Sequence, residues 1–274
     1  MSFVPPATLE PDTVAVVLDL LRSHPHFLLY FEAALSAPVN DKSNRKILVG
    51  IKRRGLALSI DFERVTIRTT VGDLSDAELL EAVTVPRRAE LHLEAHHLDF
   101  TRTRLGNRIV AMKQLKLYRL DAPTFLEADP RCRRLESQDE PLVAVFFARD
   151  YPSTIFSPWM LAQHFYGLFE QNELRSCGGV VVSSLKLGSA NLGNFLTSPN
   201  HRGRGLGGAV ASTLIHDLEA EGLHTFVLAT TEENVPARRT YERLGFHVVE
   251  TRPQVDLCAP EAKAAVRAAW EAGG

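Results

Sequence analysis

The stretch HRGRGLGG at residues 201–208 constrains this 274-residue chain more than any other feature. It contains four glycines and two arginines. Glycine at such density is unfavourable unless the backbone must adopt unusual conformations or approach another group closely. A predicted strand at 190–199 precedes the stretch. An apolar helical pattern follows it, at Leu206, Val210, Leu214 and Leu218. The order strand, glycine loop, amphipathic helix directs backbone N–H groups and the positive end of a helix dipole at an anion.

Composition excludes several classes of protein. Hydrophobic residues make up 45% and charged residues 23% of the chain, which is typical of a globular protein. With 31 basic and 33 acidic residues, the net charge of −2 argues against a nucleic-acid binder. Three isolated cysteines, Cys132, Cys177 and Cys258, suggest neither a disulfide framework nor a metal site. There is no signal-like start and no long apolar run, so we expect a cytoplasmic protein that binds no membrane.

Two patterned halves lie on either side of a proline-containing break at 120–131. We expect an N-terminal α+β domain over 1–128, a second domain over 129–252 and a helical tail over 253–274. In the first half the pattern predicts helices at 13–23, 25–35 and 75–83, the last with a capping box of Ser75 and Glu78. It also predicts strands within 46–62 and at 89–95 and 112–120. We recognise no chemical motif in this half.

The second half has a more regular order of elements. Predicted in turn are a short strand from 131, a helix from Pro141, a hairpin over 164–184 and the strand at 190–199. After the glycine loop come a helix to Gly222, a strand at 224–230, a helix at 234–245 and a strand at 246–250. Asn234 caps the helix at 234–245, and Pro236 lies in its first turn.

Three kinds of anion-binding loop compete for the glycine stretch. A Walker A loop requires Lys and then Ser or Thr after the glycines, but Ala209 follows here, so this interpretation fails. Gly203, Gly205 and Gly208 match the GxGxxG pattern of a dinucleotide-binding loop. Glu232 or Glu233, after the next strand, would be the acidic residue that follows this pattern. In that fold, however, the first glycine directly follows the strand. Here three residues from Pro199 intervene.

The third interpretation uses more of the residues. Arg202, Gly205, Gly207 and Gly208 match the pattern [RQ]xxGxG[GA], and a second pattern, NxxAxxxYxxxGF, follows one helix and one strand later. The second pattern is matched by Asn234, Ala237, Tyr241, Gly245 and Phe246. In this order the two motifs resemble those of the GNAT superfamily of acyl-CoA-dependent N-acyltransferases, over about residues 130–251. The resemblance implies an α+β, mixed α/β fold, with a central mixed sheet flanked by helices. The N-terminal half could be a degenerate copy of this fold.

The resemblance also implies a cofactor and its binding residues. Acetyl-CoA is the implied acyl donor, and no metal is implied. Its diphosphate would lie on the glycine loop, and the backbone of the preceding strand would hold its pantetheine arm. The loop residues are Arg202, Gly203, Arg204, Gly205, Leu206, Gly207 and Gly208, and the strand residues are Phe195, Leu196 and Thr197. Asn234, Ala237 and Tyr241, spaced three and four apart, would line the arm from one helix face.

Tyr241 matches the general acid of the superfamily, which protonates the coenzyme A sulfur. A phenol, with an ordinary pKa of about 10, keeps its proton at neutral pH. The usual glutamate base is missing, because its position is held by Asn191, and an amide accepts no proton at neutral pH. A water relay, Glu232, His164 or His201 could replace that base.

These observations predict transfer of acetyl from acetyl-CoA to the primary amine of a small molecule by direct attack. The substitution at Asn191 keeps open a second hypothesis, an acyl-CoA-binding sensor with weak or no catalysis. A dinucleotide-dependent oxidoreductase is the third. The sequence identifies neither the acceptor nor the acyl chain, and it leaves open a homodimer.

Overall fold

The computed structural model describes residues 1–36, 46–52, 54–62, 64–121, 126–151 and 154–260. The chain forms two compact units. Unit 1 comprises Met1–Lys116, Thr231–Glu233 and Glu250–Gly274, and unit 2 comprises Leu117–Thr230 and Asn234–Val249. No helix in the described ranges is long and apolar enough to span a lipid bilayer.

Unit 1 begins with two helices and continues as a mixed sheet with two more helices. The helices are α1 (Pro11–Leu21), α2 (Pro25–Ser36), α3 (Asp76–Val83) and α4 (Leu98–Leu105). The strands are β1 (Lys46–Ile51), β2 (Gly55–Asp61), β3 (Thr66–Gly72), β4 (Ala89–His92) and the first part of β5 (Ile109–Asp121). The predicted capping box of Ser75 and Glu78 is present at the start of α3. The sequence patterns did not identify β3 and α4.

Unit 2 contains the elements predicted for the second half. Its helices are α5 (Glu140–Asp150), α6 (Leu206–Ala220) and α7 (Val235–Arg243). Its strands are β6 (Cys132–Arg134), β7 (Phe165–Glu170), β8 (Glu173–Ser184), β9 (Ser189–Thr197) and β10 (Thr225–Thr231), with the start of β11 (His247–Leu257). The order of strands in its sheet is β5-β10-β9-β8-β7-β6. The predicted mixed sheet flanked by helices is therefore confirmed.

The two units repeat one order of elements, three strands, a helix, a strand and a helix. In unit 1, β1, β2 and β3 pair antiparallel, and β4 then pairs parallel with β3. In unit 2, β7, β8 and β9 pair antiparallel, and β10 then pairs parallel with β9. Both the order and the sense of pairing of a degenerate copy are therefore present in the first half of the chain.

The last strand is longer than the pattern at 246–250 predicts. β11 continues to Leu257, and its residues Gln254–Leu257 pair antiparallel with β4. The first five residues of the predicted helical tail, 253–257, are thus strand. The extension results from pairing with a strand of the first half, which a local pattern cannot reveal. The rest of the predicted tail helix, from residue 261, lies outside the described residues.

The helix after the glycine loop anchors the core of unit 2. Val210, Leu214 and Leu218 of α6 are fully buried and belong to one cluster with Leu192 of β9 and Phe226 of β10. Burying apolar side chains of this size stabilises a protein by about 1.5–3 kcal/mol each. This packing fixes the N-terminal end of α6 beside the end of β9.

Candidate functional site

The parallel strands β9 and β10 diverge after a short paired region. They are in register only over Ser189–Asn191 and Thr225–Val227, although β9 continues to Thr197. Pro199, which cannot donate a backbone hydrogen bond, follows the diverging end of β9. This is the separation that Pro199 predicts, and it opens a gap in the sheet of unit 2.

A bulge distorts β9 beside this gap. Gly193 pairs with Gly179 and Leu196 pairs with Cys177, so Asn194 and one further residue oppose a single residue of β8. Asn194 has a φ of 54°, in the left-handed region, where asparagine is the most tolerant residue after glycine. The sequence patterns did not reveal this bulge.

The side chain of Phe195 occupies the space above a glycine of β8. A Cβ at Gly178 would collide with the Phe195 ring. Leu196 is buried, and Thr197 pairs with Ser176, whose hydroxyl lies 2.8 Å from the Thr197 hydroxyl. The three residues predicted to bind through their backbone thus form the diverging end of β9.

The glycine loop is exposed and needs its glycines. Gly203 and Gly205 each have a φ of 78°, which costs a residue with a Cβ about 1–2 kcal/mol. A Cβ at either position would meet no heavy atom within 4 Å. Their requirement for glycine is therefore conformational, and the space beside the loop is open.

No side chain caps the first turn of α6. Gly205 occupies the N-cap position, and the first hydrogen bond within the helix joins the Ala209 N–H to the Gly205 carbonyl at 3.0 Å. The N–H groups of Leu206, Gly207 and Gly208 precede that bond and point out of the helix end. A Cβ at Gly207 would lie 3.2 Å from the Thr197 hydroxyl, so glycine permits the close approach of α6 to β9.

The two loop arginines make different contacts. Arg202 Nε donates to the Thr197 carbonyl at 3.2 Å. Arg204 donates twice to the Glu170 carboxylate, at 2.9 Å each, and Arg131 donates to the same group at 3.1 Å. Hydrogen bonding from Arg204 is the main cause that lowers the pKa of Glu170. Both cations lie at the loop, but Arg204 is engaged by a carboxylate.

Asn234 lies at the start of α7. Its Oδ1 accepts from the Ala237 N–H at 3.4 Å, which confirms the predicted helix cap. Its Nδ2 donates to the Thr230 hydroxyl at 3.1 Å. Asn234 therefore precedes α7 and joins it to the end of β10.

Tyr241 is buried among other aromatic rings. Its side chain is 7% exposed, and its ring centroid lies 6.0–6.1 Å from those of Tyr118, Phe195 and Phe246. Burial raises the pKa of the Tyr241 phenol, which therefore keeps its proton throughout the neutral range. The described residues supply no hydrogen-bond partner for its hydroxyl. Nothing in the local pattern around Tyr118 indicated this contact.

Helices α6 and α7 approach each other near the start of α6. A Cβ at Gly208 would lie 3.6 Å from the side chain of Thr240, the residue before Tyr241. Phe195 contacts Tyr241 from the strand. The structure thus brings together the end of β9, the open N-terminus of α6 and the buried phenol of α7.

The residues considered as a base are scattered. His164 bonds Glu221 at 2.7 Å beyond the far end of α6, which at about 1.5 Å per residue is roughly 22 Å from the loop. Glu232 forms an ion pair with Lys116 at 3.1 Å. Asn191 is buried in β9. His201 lies beside the loop, and its Nδ1 is buried without a partner among the described residues.

A known protein family matches part of this chain. Residues 165–255 match the family model described as FR47-like protein. No curated protein matches the sequence.

The described residues contain no group of three or more His, Cys, Asp or Glu side chains that could hold a metal ion.

Several solved structures have the same fold. A Novosphingobium aromaticivorans protein named as a GNAT-family acetyltransferase shares 17% identity, with a TM-score of 0.55 over 77% of this chain and 91% of its own. A GCN5-related N-acetyltransferase-like protein of Streptococcus suis shares 13% identity, with a TM-score of 0.59 over 90% and 98%. A Drosophila protein shares 15% identity, with a TM-score of 0.66 over 94% and 98%. At these identities the likeness establishes the fold.

Proposed function

We propose that this chain, whose residues 165–255 are GNAT-like, is an acyl-CoA-dependent N-acyltransferase that transfers acetyl to a small primary amine. One observation carries the proposal. The uncapped N-terminus of α6, preceded by two left-handed glycines, lies against the end of β9, which has separated from β10. A buried tyrosine contacts the same strand end.

The residues at this end of α6 suit a diphosphate. Three outward N–H groups and the helix dipole favour an anion, and Arg202 adds a cation. The open space at Gly203 and Gly205 leaves room for the phosphates. Phe195–Thr197 lie beyond the part of β9 that pairs with β10, and their backbone would hold the amide-bearing arm. A dinucleotide domain is a poorer fit, because β7, β8 and β9 are antiparallel.

The bound acyl-CoA supplies an acyl group on a thioester sulfur. In the transfer, the amine nitrogen gains the acyl group and loses a proton, and the sulfur gains a proton. Tyr241 holds a proton on its hydroxyl across the neutral range, since burial raises its pKa. We assign it the role of proton donor to sulfur. A backbone N–H near Leu196, beside the bulge, would stabilise negative charge on the acyl oxygen.

Deprotonation of the amine is the step with fewest candidate residues. Asn191 cannot accept the proton, and His164 is remote from the loop. An amine of low pKa is already neutral and needs no base before it attacks. Water or His201 would accept the proton that the nitrogen loses after the attack. The reaction should therefore accelerate as pH rises through the pKa of the acceptor amine.

The experiment is a pair of measurements on the whole chain. Calorimetry with coenzyme A should show binding, and acetyl-CoA consumption with a panel of small amines should show turnover. Tyr241→Phe should lower kcat by about 10²–10⁴-fold while coenzyme A affinity stays within twofold. Absence of coenzyme A binding would contradict the proposal.

An acyl-CoA sensor is a second candidate, favoured by the amide of Asn191 where the superfamily has a carboxylate. The same variant separates the two functions. A sensor would bind coenzyme A, turn over no amine and respond to Tyr241→Phe in neither measurement.

A further inference from the structure

We infer that Asn194 is a positioning residue that holds Thr154–Met160 as a wall of the acceptor site. The inference rests on the proposed function. Asn194 lies in the bulge of β9, three residues beyond Asn191, which is the last residue paired with β10. The side chain of Asn194 is therefore carried by the part of β9 that borders the gap.

The Asn194 amide contacts both ends of the 154–160 segment. Its Oδ1 accepts from the Thr154 hydroxyl at 3.1 Å, and its Nδ2 lies 3.1 Å from the Met160 sulfur. The Thr154 hydroxyl in turn accepts from the Phe156 N–H at 3.1 Å. Thr154 and Met160 are buried. One amide thus fixes a connected set of buried groups to the bordering strand.

The segment packs on the sheet face opposite the proposed acyl donor. Neighbouring residues of a strand point to opposite faces of the sheet. The Phe195 ring covers Gly178 and the Phe165 ring covers Gly179, so the two rings lie on opposite faces. Phe195 contacts Tyr241, so its face is that of α6 and α7. Phe165 contacts Phe156 of the segment, with ring centroids 5.4 Å apart.

An acceptor must reach the acyl group from the side that the donor leaves free. The gap between β9 and β10 joins the two faces, so the acceptor would enter on the face of the segment. Phe156 stacks on Phe147 at 5.0 Å and has little freedom of its own. The middle of the segment is thus held by ring packing, and its two ends are held by the Asn194 amide.

The test compares acceptor kinetics with donor binding. Asn194→Gly keeps the left-handed backbone and removes the amide, and Thr154→Val removes the hydroxyl from the other side. Each should raise the acceptor KM by about 3- to 10-fold, the range for one or two lost hydrogen bonds, with coenzyme A affinity unchanged. The double variant should raise the acceptor KM little more than either single variant does, because both substitutions break the same contact between Thr154 and Asn194.

Two further variants serve as rescue and control. Thr154→Ser keeps the hydroxyl and should behave like the unaltered protein. Thr225→Val removes a comparable bond, from Thr225 to Asp121 at 3.1 Å in the paired region of β10, and should leave the acceptor KM unchanged.

The possible results are distinct. If the unaltered protein neither binds coenzyme A nor turns over amines, the proposed function fails. If it does both, and Asn194→Gly or Thr154→Val leaves the acceptor KM unchanged, the positioning role is overturned, whatever happens to kcat or to coenzyme A affinity.

Discussion

Both terminal nitrogens of Arg204 donate to the carboxylate of Glu170, at 2.9 Å each. The same carboxylate accepts from Arg131. A negative charge thus holds a loop arginine that a diphosphate would otherwise attract. The resemblance predicted the arginine but not this competitor, because Glu170 lies 34 residues earlier, at the end of β7.

We predict that Glu170→Gln tightens coenzyme A binding. Removing the carboxylate charge releases Arg204 and makes the loop more positive. Since Arg204 is half exposed, the gain is that of a surface pair, about 2- to 5-fold in Kd, and it should shrink in high salt. Calorimetry at two salt concentrations measures it. Glu173→Gln on the same hairpin is the control, and weaker binding by Glu170→Gln would contradict the prediction.

A second prediction separates the conformation of the loop from its role in binding. Gly205 and Gly222 both have positive φ, 78° and 89°, and open space at Cβ. Alanine at either should lower the free energy of unfolding by about 1–2 kcal/mol. Only Gly205→Ala should weaken coenzyme A binding, because Gly222 lies past the far end of α6. Equal affinities in the two variants would exclude a binding role for the loop.

The second half of the chain was largely predictable because its elements carry local signals. Glycine and proline mark the turns, Asn234 marks a cap, and apolar residues four apart mark α6. The glycine loop has two properties that its sequence indicates: glycines that allow a positive φ, and a helix start without a capping side chain. Its position in the fold then followed from the order of elements.

What the sequence could not reveal depends on contacts between distant segments. The extension of β11 depends on β4, which lies more than 150 residues earlier. The contact of Tyr118 with Tyr241 joins β5 to α7. The bulge at Asn194 depends on how β8 pairs. None of these three features has a local sequence signal, because each is stabilised by contact with a distant segment of the chain.

Arg252 provides a third prediction, in unit 1. Its side chain is 2% exposed and donates to the Thr70 carbonyl at 2.7 Å, to Glu94 at 2.9 Å and to Glu250. Arg252→Met would leave two carboxylates without this partner in a largely buried place. We expect a loss of about 3–5 kcal/mol in the free energy of unfolding, measured by denaturant titration. A loss below 1 kcal/mol would contradict this account of the network.

The fourth prediction concerns pH. Burial lowers the pKa of His26 to about 4 and that of His92 to about 3, from an ordinary value near 6.5. The unfolded chain therefore binds more protons below pH 6.5, and stability is lost as pH falls from there towards 4. Each histidine lowers the free energy of unfolding by up to about 1.4 kcal/mol for each pH unit over this range.

The measurement is the slope of the unfolding free energy between pH 6 and 4.5, above the range where most carboxylates titrate. His92→Asn should reduce this slope. His247→Asn, at an exposed position, should leave it unchanged. Equal slopes in all three proteins would show that His92 accepts a proton in the folded state.

The most direct measurement is the structure of this protein with coenzyme A bound. The diphosphate should lie within hydrogen-bond distance of the N–H groups of Leu206, Gly207 and Gly208, with the sulfur at the Tyr241 hydroxyl. Phosphates bound away from the start of α6, or a sulfur remote from that phenol, would contradict it.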